Sequence, residues 1–179
     1  MGEQKVVLHH GGRSSSMTLT LKGVNADDFV NYKKPSMFLC FPTCTFKCNK
    51  DCGAKVCQNM HLVNEKSVQY RVVDIIDTYF SNPISKAIVC GGMEPFDSAD
   101  ELLGFITEFR DICNDDIVLY SGYSEDEVRE KFPWVYNFPN MVVKYGRYLP
   151  GHSPHHDEVL GVDLASDNQY AKKYNEVKQ

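Results

Sequence analysis

The chain has no run of about 18 or more apolar residues, so nothing in its sequence predicts a membrane-spanning helix. It also lacks the apolar N-terminal stretch of a secretory signal, and with it the oxidising context in which cysteines pair. A soluble, cytoplasmic protein is the expectation. A basic excess is missing as well: the net charge is −5 over 179 residues, which argues against a large nucleic-acid-binding face. Finally, there is no second pair of closely spaced thiols, because beyond residue 57 only the isolated Cys90 and Cys113 remain. Structural zinc sites usually draw on two such pairs.

What the chain does have is concentrated in one stretch. Five of its seven cysteines fall between Cys40 and Cys57, directly after the apolar run that starts at Ser36. A loop returning a thiol every four or five residues can close around one metal centre. Disulfides are disfavoured by the odd cysteine count and the absent signal. An iron–sulfur cluster held by Cys thiolates fits the spacing best, with zinc and spare buried thiols as the alternatives.

The length suits one domain with a sizeable core. Residues 1–16, poor in apolar side chains, read as a flexible leader in which His9 and His10 are solvated rather than metal-bound. Residues 17–179 then form a single domain. Met17–Lys22 alternates with the period of a half-buried edge strand, and Asn25–Tyr32 reads as a turn. Ser36–Phe41 is a buried strand. A helix is predicted from an Asn64 cap to about Phe80, stopped by Asn82-Pro83. Ala87–Cys90 reads as a central parallel strand. Ser98 and Glu101 predict a capping box for a helix with the core stripe Leu102, Leu103, Ile106, Phe109 and Cys113. Ile117–Tyr120 is the next strand, followed by a second capping box of Ser124 with Glu127, and Met141–Tyr145 is the last clear strand. The tail is expected to be irregular to Asn168, with a short polar helix from Tyr170.

Strand and helix signals alternate at least three times, which argues a parallel sheet in an α/β fold. Ligands collect at the carboxyl ends of such strands. The cysteine loop, Gly91–Glu94 and Ser121–Tyr123 all fall at that end. Cys40, Cys90 and Cys113 read as buried small residues, Tyr120, Tyr123 and Tyr145 as packing residues, and the His152–His156 segment as a solvated loop rather than a metal site.

The cysteine loop followed by Gly91-Gly-Met-Glu-Pro95 resembles the radical S-adenosylmethionine (SAM) superfamily. Leu119-Tyr-Ser-Gly-Tyr-Ser124, Gly146-Arg-Tyr148 and Ala165-Ser-Asp-Asn-Gln169 bring it closer to the activating proteins of anaerobic ribonucleotide reductase, a glycyl radical enzyme. The resemblance implies a partial (βα)6-type open barrel of mostly parallel strands. It implies a [4Fe-4S] cluster whose one iron without a protein ligand chelates SAM, and reductive cleavage of SAM to a 5′-deoxyadenosyl radical.

By that resemblance Cys44 and Cys48 match the first pair of a C-x3-C-x2-C loop. Cys57, preceded by Val56 and followed by Gln58-Asn59, is the favoured third ligand, with Cys52 as the alternate. Gly91 and Gly92 would let the backbone approach SAM, Glu94 would hold its ammonium, and Ser121 and Asn168 would face the nucleoside. Met93 departs from the family's second glycine. The implied partners are the large subunit of the reductase, which would receive a glycyl radical, and a one-electron donor such as a flavodoxin. No membrane or nucleic acid partner is expected. Two other readings stand beside it: a small-molecule enzyme like 7-carboxy-7-deazaguanine synthase, and a zinc-stabilised binding module without catalysis.

Overall fold

Four parallel strands form the centre of the molecule, and each has the apolar sequence that burial on both faces demands. The computed structural model describes residues 16–177, so all but the last residue of the expected leader, including His9 and His10, lies outside the described residues. The strands in chain order are β1 (Thr18–Leu21), β2 (Gly23–Asp28), β3 (Ser36–Phe41), β4 (Val68–Arg71), β5 (Ala87–Gly92), β6 (Asp116–Tyr120), β7 (Met141–Tyr145), β8 (His155–Asp157), β9 (Val162–Leu164) and β10 (Tyr170–Tyr174). The helices are α1 (Lys47–Cys52), α2 (Val72–Ser81), α3 (Ala99–Arg110) and α4 (Glu125–Lys131). The main sheet runs β10-β7-β6-β5-β3-β2. Its four inner strands are parallel, and the two outer ones are antiparallel to their neighbours.

Strand alternation sorts the inner residues onto two faces. Met37, Leu39 and Phe41 of β3, Ile88 and Cys90 of β5, Ile117 and Leu119 of β6, and Met141, Val143 and Tyr145 of β7 meet the helices in one core. α2 presents Val72, Ile75, Ile76 and Tyr79 to it, and α3 presents Leu102, Phe105, Ile106 and Phe109. Both sets follow the i, i+3, i+4, i+7 stripe of an amphipathic helix. Val89, Val118 and Val142 face the other way, into a smaller cluster with Tyr32, Leu160, Leu164 and Ala171. All three crossover helices therefore pack on one face, and the opposite face is left for a cavity at the carboxyl ends of the strands.

Several expectations are corrected by pairing that no single segment reveals. Asn25–Tyr32 is not merely a turn, because Gly23–Asp28 pairs with β3. The helix expected from Asn64 starts only at Val72: Val68–Arg71 is captured as a strand by β1, forming a separate two-stranded sheet. Ser98 and Glu101 make no capping box. Glu101 instead accepts hydrogen bonds from the Thr20 amide and hydroxyl, at 2.6 and 3.0 Å, while the Ser124–Glu127 box forms as expected. Phe105 joins the α3 stripe in place of the half-buried Leu103, and Cys113, beyond the end of α3, packs half-buried against the same core. The tail holds the β8–β9 hairpin, and the segment expected as a polar helix is β10, taken up by the otherwise unpaired edge of β7.

Candidate iron–sulfur site

The chain leaves β3 through Pro42 and enters a lobe built around α1. Phe46, in the left-handed region at φ 55°, turns the chain into that short helix, and Gly53 at φ 63° turns it out. The return segment is held by one side chain: Asn49 Oδ1 accepts the amide protons of Val56 and Cys57 at 2.8 and 2.9 Å. Two residues on, Asn59 Nδ2 donates to the Gly92 carbonyl at 2.6 Å. The cysteine lobe is thus fastened to the rim of the sheet beside β5.

These links place Cys44, Cys48 and Cys57 on the wall of one cavity of about 500 Å³. Gly91, Gly92, Met93, Glu94 and Ser121 line the same cavity. Cys52 does not. It lines a second cavity of about 300 Å³, which Cys48 also borders. The thiol expected to be a buried core residue, Cys40, also faces the first cavity and is half-buried, because β3 alternation points it away from the helices. Cys90 on the neighbouring strand points into the core, as expected. None of the seven cysteines, all among the described residues, is in a disulfide.

Burial raises the thiols of Cys40, Cys44 and Cys48, that of Cys44 to about 11 against the amide proton it accepts from Phe46. Such thiols hold their protons at neutral pH until a metal takes their place. Among the described residues, no three His, Cys, Asp or Glu side chains gather as they would around a single ion. Thiolates on different irons of a cluster stand farther apart than the four ligands of one zinc.

Glu94 is almost fully buried, with 7% exposure. Its carboxylate accepts from Phe96 N at 3.2 Å, Ser121 Oγ at 2.9 Å and Gly122 N at 2.8 Å. Burial pushes it up to about 7 against those three donors. Ser121, 2% exposed, donates to Glu94 and accepts from Tyr123 N, so its hydroxyl is committed to positioning the acid. Gly92 sits at φ +84°, and a Cβ there would lie 2.5 Å from Cys40 Sγ. The tight rim requires glycine at this position.

Asn168 is not brought to the first cavity. It lines the second, and its Nδ2 donates to the Arg147 carbonyl at 2.8 Å. Its neighbour Gln169 reaches the first instead. The His152–His156 rings each take a different acceptor: His152 meets Asp167, His155 the Gln169 carbonyl, and His156 Asp163. Sequence reasoning missed Asn49 and the hairpin residues Asp163–Ala165, for which the sequence carries no local signal. It also missed Lys144, whose signal was a lysine inside the apolar run of β7.

Residues 35–153 match the family described as a 4Fe-4S single cluster domain, and the chain belongs to it. No curated protein and no solved structure matches the chain. The family and the donor set agree: this is an iron–sulfur protein, and Cys44, Cys48 and Cys57, the loop thiols, line one cavity with Cys40 of β3.

Proposed function

We propose that the chain is a radical SAM activase that generates a glycyl radical on an anaerobic ribonucleotide reductase. The observation that carries this reading is the shared cavity of the loop cysteines Cys44, Cys48 and Cys57, the rim glycines and a buried glutamate. Three thiolates leave one iron of a four-iron cluster open to a ligand. The cluster, when bound, supplies the one-electron reduction that cleaves the SAM sulfonium.

The chain's own residues do the holding. Glu94, fixed by Ser121, Gly122 and Phe96, offers its remaining lone pairs to an ammonium group. Gly91 and Gly92 keep the floor low enough for a ligand to lie against the backbone. The placement of all three crossover helices on one face, with the cavity on the other, supports the partial-barrel reading. So does the domain family, which is found in radical SAM-type proteins. Seven cysteines without a disulfide suit a reducing cytoplasm, where a flavodoxin-type donor would supply the electron.

The test is to purify the protein without oxygen, reduce it, and add SAM with the reductase large subunit. A glycyl radical signal in electron paramagnetic resonance is expected. Methionine release without that signal moves the assignment to a small-molecule radical SAM enzyme of the deazaguanine-synthase type, which one feature favours: the β8–β9 hairpin walls the cavity with Asp163, Leu164 and Ala165. A colourless protein containing zinc rejects both.

A further inference from the structure

Lys144 lies on the cavity floor for a reason visible in the register. Cys40 pairs with Gly91, Gly91 lies against Tyr120, and Tyr120 pairs with Lys144, so the four form a row across the parallel strands on the face away from the helices. Lys144 is 7% exposed and, among the described residues, is the only Lys or Arg lining this cavity. Its ammonium donates to the carbonyls of Ser121 at 3.2 Å and Gly146 at 2.9 Å. Among the described residues no carboxylate forms an ion pair with it. Glu94, the nearest acid it feels, has its oxygens directed at other donors.

A buried ammonium with only carbonyl partners is costly, and an adjacent anion offsets that cost. A four-iron cluster with three thiolates is anionic when oxidised and gains a further negative charge on reduction, and nearby charge sets its potential. Cys48 lines the same cavity as Lys144, and a Cβ built on Gly122 would lie 3.6 Å from both Cys48 Sγ and Glu94 Oε2.

We propose that Lys144 is the buried counter-cation of the cluster and raises its reduction potential. This rests on the cluster being held by Cys44, Cys48 and Cys57. Lys144 is a positioning charge, one that favours the reduced state and makes the electron from a weak donor easier to accept.

The full chain and three variants are reconstituted anaerobically with iron and sulfide, then titrated with dithionite under electron paramagnetic resonance. Lys144→Gln keeps donors for the two carbonyls without the charge, Lys144→Met removes both, and Lys144→Arg keeps the charge. The Gln and Met variants should shift to more negative midpoint potentials than the wild type, while Arg stays near it. Iron loss in the Gln and Met variants but not in Arg also supports a charge role. A loaded Gln variant with the wild-type potential, or an Arg variant displaced as far as Met, overturns the proposal alone. A wild-type chain that takes up no iron overturns the cluster assignment and this proposal with it.

Discussion

Asn49 holds Cys57: its side-chain oxygen accepts the Cys57 amide proton at 2.9 Å, together with that of Val56 at 2.8 Å. The helix that carries Cys48 thereby fixes the third thiol, eight residues further along the chain. Asn49→Ala leaves both amides without this acceptor and should cost about 1–3 kcal/mol. Asn49→Asp keeps the acceptor and should stay near wild type. Urea midpoints and iron retained after desalting measure the two effects.

Cys57→Ala should abolish iron incorporation, as should Cys44→Ala and Cys48→Ala. Cys52→Ala, on the second cavity, should leave iron content intact. Iron and acid-labile sulfide assays on the four variants decide the ligand set, and the reverse outcome for Cys52 and Cys57 would reassign the third ligand.

Gly92→Ala forces a side chain into the left-handed region and against Cys40 Sγ. Left-handed backbone and overpacking together should cost about 2–4 kcal/mol. Adding Cys40→Ala removes the sulfur contact but not the backbone strain, so the double variant should recover only part of the loss in thermal or urea melts.

Glu94 gives the metal-free protein a definite pH dependence. Its folded value of about 7 lies above the ordinary 4.5, so the folded state holds the proton more tightly than the unfolded chain does. The stability this provides is full below about 4.5 and is lost as pH rises through 7. At about 1.4 kcal/mol per unit, the loss is about 3 kcal/mol. Urea melts between pH 4 and 8 should show it, and Glu94→Gln, though less stable overall, should lack that slope.

Where the strongest local patterns lay, the fold was legible. Ser36–Phe41, Ala87–Cys90, Ile117–Tyr120 and Met141–Tyr145 are strands because continuous apolar runs of that length are stable only when buried on both faces. The Ser124–Glu127 cap was legible because both halves of its exchange lie within one turn. Residues 68–71 and 170–174 went the other way, since a partner strand far along the chain decided their conformation. Glu101 shows the same competition at one side chain: Thr20, 81 residues away, took the carboxylate that the helix cap would have used.

By itself the sequence determined that a cysteine-rich loop, a glycine–glutamate rim and a serine–glycine turn would follow successive strands, because strand order and the shared carboxyl end are written in local patterns. Only the tertiary structure decided which thiols face one cavity, that Ser121 serves Glu94, that Asn168 turns to a second cavity, and that Lys144 is buried on the floor. Those outcomes depend on strand register and on hydrogen bonds between distant segments. A shift of one residue in either would send the same side chains to the opposite face.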